Sequence, residues 1–439
     1  MPGQQRLYRQ PMKFPAVLFC LAALLTTGSN HAAVIATNVP ATPLTAERVA
    51  NLPEWKNYFE NSQRQKAADQ KFFRDELMAH GLTNATLPHA THNAKGVALD
   101  NPDAWYRSRE ARHIADNLVS FQTPAGGWSK NTDFTKNPRK AGELFGVENI
   151  SEHAAPGDFD RPDDLHWNYV GTFDNDSTTT EMQFLAKVIS AGKNDPGGSA
   201  YEKSFERGLD YIFNSQFPDG GWPQVWPLQG GYHDEITVND DAVLHVIEFL
   251  RDISPGQDEF SFVPPDLRAK AEASWKRGLD CLLAAQVKVA GKLTVWCQQH
   301  DAITLQPASA RNYEMPSLTS SESATIVLFL MQLPDPDPKT VAAVHAACAW
   351  FERTKIEGKA YKPVKGKGRE LIDAPGAVLW SRYYEIGTDR PIFGDRDKTI
   401  HDDVSELSLE RRNGYGWYRD TPKRALEHYS NWAKQHPLP

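Results

Sequence analysis

Apolar residues along this chain gather into helix-length runs, and several of the runs stop at the same polar phrase. The segments 114–121 (IADNLVSF), 208–215 (GLDYIFNS) and 278–285 (GLDCLLAA) space their apolar side chains three and four residues apart, as one face of a helix does. The first two close in Gln-x-x-x-Gly-Gly-Trp, with Gln122 and Trp128, then Gln216 and Trp222, at its ends. A worn third copy runs from Gln286 to Trp296. A unit that recurs in this way predicts an array of helical hairpins, none of which can bury its apolar face alone.

The same periodicity predicts helices over 106–121, 178–191, 201–215, 239–252, 267–286, 320–332, 338–353, 374–386 and 422–435. The stretch 46–79 reads as helix-rich, 81–101 as a linker or long surface loop, and the Pro-Asp-Pro-Asp-Pro run at 334–338 as a stiff connector. Alternating β-branched runs are scarce, so only short strands are expected. Thr178 with Glu181 predicts a capping box, Asn239 or Asp240 caps the next helix, and Ser320 or Ser321 another.

Helices over 106–121, 201–215 and 267–286 end in the repeated phrase, whereas those over 178–191, 239–252 and 320–332 begin after long loops. In an up-down array these ends and starts lie on one face. The loops 122–177, 216–238 and 287–319 then converge there, and long loops on a helical scaffold usually carry function. The expected fold is all-α: an α/α toroid, or incomplete α/α barrel, with a cleft across one end. Its expected divisions are 1–33, a leader; 34–103, a helical extension and linker; and 104–439, the catalytic domain.

Charge and termini narrow the function. A net charge of −8 argues against broad nucleic-acid or membrane-surface binding, which needs a basic field. Arg6, Arg9 and Lys13 precede an apolar run over 16–25, and Ala32, Ala33 and Ala36 follow it. That order predicts a cleaved export signal and a secreted or periplasmic protein, with an uncleaved anchor as the alternative; a monomer is expected. Met12 is an alternative start. The mature chain keeps Cys281, Cys297 and Cys348, too few for a disulfide framework, although a Cys281–Cys297 bridge is conceivable.

Candidate chemistry sits where the long loops end. Thr172-Phe-Asp-Asn-Asp-Ser-Thr-Thr-Thr180 and Ile236-Thr-Val-Asn-Asp-Asp241 each put Asp and Asn oxygens at a helix start. Two readings are open: plain N-capping, or hard-oxygen ligands for a cation such as Ca²⁺. Arg311 and Tyr313 also precede a helix start, well placed to hold an anion, or Arg311 simply pairs with Glu314. Lys130 is a further cation beside Trp128. Downstream, Arg382, Arg390 and Arg396 interleave with Trp380, Tyr383, Tyr384 and Phe393. Such a segment stacks on sugars and grips carboxylates, or forms a buried network with Asp389, Asp395 and Asp397. Twelve tryptophans make a carbohydrate ligand plausible.

Taken together, these segments resemble the pectate lyases of polysaccharide lyase family 10. The resemblance rests on Phe121-Gln-Thr-Pro-Ala-Gly-Gly-Trp-Ser-Lys130, Thr172-Phe-Asp-Asn-Asp-Ser-Thr-Thr, Thr237-Val-Asn-Asp-Asp-Ala and Ala310-Arg-Asn-Tyr-Glu-Met-Pro-Ser. Arg390-Pro-Ile-Phe-Gly-Asp-Arg-Asp397 and Arg411-Arg-Asn-Gly-Tyr-Gly-Trp-Tyr418 complete it. It implies an (α/α)₃ toroid and Ca²⁺-assisted anti β-elimination of polygalacturonate. It further implies calcium-side acids at Asp174 and at Asp240 or Asp241, and substrate contacts at Lys130, Asp174, Asn175, Arg311, Tyr313, Arg382 and Arg390. Arg396 is the implied base for the C5 proton. Phe173 and Asp176 depart from the family pattern. The alternatives are a carboxylate-pair glycoside hydrolase and a sugar-binding export protein without activity.

Overall fold

The periodic runs become helices almost where the spacing puts them. The structure, a computed structural model, describes residues 36–91, 96–147, 155–159, 170–192 and 198–438, so the predicted leader lies outside the described residues. The helices are α1 (Ala46–Val49), α2 (Pro53–Ala79), α3 (Arg109–Phe121), α4 (Thr179–Ala191), α5 (Gly198–Ser215) and α6 (Ala242–Ile253). They continue as α7 (Pro265–Ala285), α8 (Ser321–Leu330), α9 (Pro338–Thr354), α10 (Leu409–Gly414) and α11 (Thr421–Gln435). No helix among the described residues is long and apolar enough to cross a membrane.

One run fails, and with it the all-α toroid. Residues 374–386, expected to be helical, belong mostly to the 14-residue strand Gly368–Ser381. That strand pairs antiparallel with Ile356–Val364, in register from Lys359 opposite Asp373 to Val364 opposite Gly368. Pro375 and Gly376 would break a helix interior, whereas Val378, Leu379 and Trp380 suit a strand. Six small sheets stand among the described helices, so the chain mixes the two kinds of structure.

The repeated phrase has one structural meaning in all three copies. Each Trp is fully buried and donates its indole N–H to a carbonyl of the preceding helix: Trp128 to Leu118 at 2.8 Å, Trp222 to Ile212 at 2.9 Å, Trp296 to Leu282 at 2.7 Å. Each Gln ties its own turn to the next helix but one. Gln122 donates to Gly126 and Ser204, Gln216 to Gly220 and Ser274, and Gln286 to Thr294 and Ala343. In the intact copies the first Gly has positive φ, 109° at Gly126 and 103° at Gly220. A Cβ would lie 2.4 Å from the Arg207 carbonyl at the first and 2.3 Å from that of Arg277 at the second. The third copy reads as worn because a small hairpin, Lys288–Val289 with Lys292–Leu293, replaces the Gly-Gly turn.

Two-residue strands sew the long loops together edge to edge. Gly171–Thr172 pairs with Val225–Trp226, Ile236–Thr237 with Gln299–His300, and Leu318–Thr319 with Tyr383–Tyr384. The region before residue 104 packs into the same unit: Trp55 and Tyr58 lie against Phe217, with ring centroids 5.3 and 5.1 Å away. Cys281, Cys297 and Cys348 are free and buried, so the Cys281–Cys297 bridge is not formed.

Candidate active site

The site grows from the repeated tryptophans. The backbone carbonyl of each accepts the N–H of a threonine that begins the approach to the next helix: Trp128 from Thr172 at 3.0 Å, Trp222 from Thr237 at 3.3 Å, Trp296 from Thr319 at 2.8 Å. After the first two threonines the chain makes a tight 3₁₀ turn, Asp174–Asp176 and then Asn239–Asp241, before α4 and α6 begin. After the third it runs into α8, which carries Glu322 in its first turn. The expected caps are absent. Thr178 has positive φ and donates its hydroxyl to the Thr172 carbonyl at 2.9 Å, Ser320 donates to Ser381 at 2.6 Å, and Asp241 precedes α6 without a side-chain cap bond. The acidic and amide side chains of these turns therefore take other partners than the helix N-termini: Asp174 takes Lys130 and Asp176 takes His245.

The two turns pack together and bring Asp174 close to Asp240. Lys130 forms an ion pair with Asp174. Burial would raise the Asp174 carboxyl, but Lys130, helped by Arg311 and His233, holds it below the usual range. Asp240 goes the other way: burial and then the charge of Asp174 push it up to about 6, against Arg382 and Arg311. Asn239 donates to Asp240 at 2.8 Å. Asp241 is pushed up to about 7, first by burial, with His245 opposing. His245, Glu322, Asp240 and Asp176 bear on Asp241, whereas the charge of Asp174 bears on Asp240.

Around the pair stands a layer of arginines, each held by a carboxylate. Arg311 makes a two-pronged contact with Glu314, 2.8 Å from Nε and 2.5 Å from Nη2. Arg382 is buried and reaches Glu322 at 2.6 Å and Asn239 at 2.9 Å. Arg396 lies on Glu410 at 2.9 and 3.2 Å, and Glu410 also binds Arg411. Two tyrosines fill the space between. Arg411, Arg311 and Arg396 approach the Tyr313 ring to 4.4, 5.0 and 5.5 Å, and Arg382 approaches that of Tyr415 to 4.7 Å. Tyr313 is buried under these guanidinium groups, and burial pushes its hydroxyl up to about 12. Tyr415 donates to Glu314 at 2.6 Å and shares a hydrogen bond with Tyr383 at 2.6 Å.

Of the predicted residues, Lys130, Asp174, Asp240, Arg311, Tyr313 and Arg382 form one network, with Asn175 half-buried in the first turn and Arg396 reaching the network through Tyr313. Arg390 is held by Glu385 at 3.1 Å and Asp402 at 3.7 Å. The Arg–Asp network proposed for 382–397 has the wrong acids. Asp389 takes Trp350 and Arg353, Asp397 takes Thr399, and Asp395 takes Ser408, whereas Arg382, Arg390 and Arg396 pair chiefly with Glu322, Glu385 and Glu410. The Arg311–Glu314 pair is real, but Glu314 is buried, and Arg311 first among its opponents holds its carboxyl down at about 2 against burial.

Sequence reasoning assigned no site role to Gln298, Glu322, Arg411, Tyr415 and His233, and it gave Asn239 only as a cap or a member of the acidic cluster. Gln298 bridges Asn239 at 2.7 Å and Glu322 at 2.8 Å. His233 is buried, stacked on Tyr232 at 3.9 Å, and burial with the nearby Lys130 brings its imidazole down to about 3, so it is neutral. Arg411 and Tyr415 both lie in the motif Arg411–Tyr418, which was the signal that could have found them.

Comparison with known proteins gives the family. The family model described as pectic acid lyase matches residues 122–426. The chain is 32% identical to a family 10 polysaccharide lyase from Cellvibrio cellulosa, with a TM-score of 0.62, covering 78% of this chain and 99% of that one. It is 31% identical to an aspartate-to-alanine mutant of a family 10 lyase from the same organism in complex with trigalacturonic acid, again at a TM-score of 0.62, covering 76% of this chain and 96% of that one. No curated protein matches. The chain belongs to the pectic acid lyase family and is a polysaccharide lyase.

Proposed function

We propose that the protein is an exported, monomeric pectate lyase that cleaves α-1,4-linked polygalacturonate by calcium-assisted anti β-elimination. The observation that carries this reading is the cationic layer of Lys130, Arg311, Arg382 and Arg411 around the Asp174–Asp240 pair. A polyanion with regularly spaced carboxylates suits such a layer. The trigalacturonate complex of the Cellvibrio relative supports the same substrate class.

The donor set fits a calcium ion only in part. Asp174 raises the Asp240 carboxyl, a repulsion that a cation between them would relieve. Among the described residues no group of three or more His, Cys, Asp or Glu gathers for a metal. Asp174, Asp240 and the Asn175 amide would therefore hold the ion together with a uronate carboxylate and water. When bound, calcium neutralises that carboxylate and so acidifies the adjacent C5–H.

The chain's own residues do the rest. Arg382 and Arg396 grip carboxylates of neighbouring sugar units, and Lys130 steadies Asp174. The base must reach a carbon bonded to the metal-side carboxylate. The charge of Arg311 bears on Asp174, Asp240 and His233 alike, whereas Arg396 bears on Tyr313 and Glu410. This favours Arg311 over Arg396 as the group that takes the C5 proton as the C4–O bond breaks on the opposite face, a C4=C5 double bond forms and the departing oxygen takes a proton from water. Burial would lower the Arg311 guanidinium, but Glu314 holds it well above its ordinary value. Proton release must then come from alkaline pH and from the surrounding cations.

The test is incubation with polygalacturonate, with and without EDTA. An unsaturated, ultraviolet-absorbing product that EDTA abolishes is expected. Saturated reducing ends would instead mark a hydrolase, and binding without cleavage would leave a sugar-binding protein.

A further inference from the structure

The segment just before α1 lies outside the stretch matched by the family model, yet it laces together the two loops that carry Arg311 and Arg396. Ala36–Thr37 forms an antiparallel pair with Thr399 and Ile400, and the Asn38 N–H donates to the Lys398 carbonyl at 2.7 Å. The Asn38 side chain turns the other way. It is 4% exposed, and its Nδ2 donates to two consecutive carbonyls, those of Arg311 and Asn312, at 3.2 Å each. Asn312 repeats the device: its Nδ2 donates to the Arg396 carbonyl at 2.8 Å, and to Asp158 at 2.8 Å. One step later Ser309 donates to the Val39 carbonyl.

We infer that residues 36–39 form a strap and that Asn38 is a positioning residue for Arg311 and, through Asn312, for Arg396. A primary amide suits the task, because one nitrogen carries two N–H donors and can hold two adjacent carbonyls. Those carbonyls belong to a turn in which Glu314 N–H reaches back to the Arg311 carbonyl at 2.8 Å. Guanidinium groups aimed at a sugar must be held within a fraction of an ångström, and the backbone beneath them is where the strap acts. The inference concerns the same site and rests on the pectate lyase reading for its kinetic form.

The experiment compares Asn38→Asp with the wild-type chain. The carboxylate keeps the shape, removes both donors and sets negative oxygens against the two carbonyls. On trigalacturonate, kcat is expected to fall roughly 10- to 100-fold, the scale of a misplaced catalytic group, with KM changed far less. A merely structural role would lower the unfolding midpoint and leave the kcat of the folded fraction alone. Asn38→Ser, with one shorter donor, is expected to give a smaller loss in the same direction, and it serves should Asn38→Asp fail to fold. A kcat within twofold of wild type in a folded variant overturns the inference. If the wild-type chain forms no unsaturated product, the functional reading fails on its own. The strap is then read by amide hydrogen exchange. Faster exchange over 309–314 and 394–399 in Asn38→Asp supports it, and unchanged exchange there overturns it.

Discussion

Asn175 and Asp240 occupy the same left-handed backbone position in two successive repeats, with φ and ψ of 53° and 39° in the first and 50° and 30° in the second. The residues after them match as well: Asp176 has φ 61° and Asp241 φ 58°. Two consecutive left-handed residues are costly for most side chains, and Asn and Asp tolerate them best. The strain therefore recurs with the repeat and turns a helix start into a carboxylate-bearing corner. Two such corners packed together make the Asp174–Asp240 pair, which neither repeat could make alone.

That pair supplies too few oxygens for a closed calcium cage. Calcium is expected to bind weakly to the free enzyme, at about 10⁻³ M, and at least roughly tenfold more tightly with an oligogalacturonate present. Titration calorimetry on Arg311→Lys, which slows turnover, measures both. Because Asp240 titrates at about 6, calcium affinity is expected to weaken as pH falls through that value. Asp174→Ala is expected to lose roughly 100-fold or more in kcat. Tight binding without substrate, or full activity of Asp174→Ala, contradicts this account.

The convergence of the long loops was legible because the Gln-Trp phrase repeats, and the repeat carries the contacts. The strand over most of 374–386 was not, because Val378, Leu379, Tyr383 and Tyr384 mimic helical spacing, and its hairpin partner, Ile356–Val364, just across the turn at 365–367, shows no clean alternation of apolar and polar residues. The caps misled for a related reason. Thr178 and Ser320 look like N-caps locally, but their hydroxyls bond the Thr172 and Ser381 carbonyls instead. His233, Gln298 and Glu322 are single polar letters in unremarkable surroundings. Only the fold brings them beside Asp174 and Arg382.

The two candidate bases separate by kinetics. Lysine at either position keeps the charge but loses the fork and moves the nitrogen. Arg311→Lys is expected to lower kcat by several orders of magnitude with KM little changed. Arg396→Lys is expected to raise KM and keep most of kcat. If the two phenotypes exchange, Arg396 is the base. The wild-type rate is expected to climb into alkaline pH, since the guanidinium must release a proton.

Trp222 carries structure rather than sugar. It is fully buried, and it lies so close to α7 that a Cβ at Gly278 would be 2.5 Å from its ring. Trp222→Ala is expected to destabilise by roughly 3–5 kcal/mol, and Gly278→Ala by about 1–3 kcal/mol through overpacking. Urea unfolding gives both values. A stable Trp222→Ala with weakened trigalacturonate binding would make the ring a sugar platform.

Alkaline activity and stability are set against each other at Glu235. The residue is 1% exposed, and its Oε2 accepts the Ala302 N–H at 2.8 Å. Burial, then the charge of Asp301, pushes its carboxyl from an ordinary 4.5 up to about 9. Between those values the folded chain keeps a proton that the unfolded chain has released. Stability from this group is thus fully present below 4.5 and is lost as pH rises towards 9. Glu235→Gln stays neutral throughout and keeps an oxygen for Ala302. The wild-type unfolding free energy is expected to fall from about pH 5 to about pH 9 more steeply than that of Glu235→Gln, by urea titration at each pH. Taking the difference between the two proteins cancels the other titrating groups. Parallel curves would mean that Glu235 is ionised in the folded protein and that another group sets the alkaline limit.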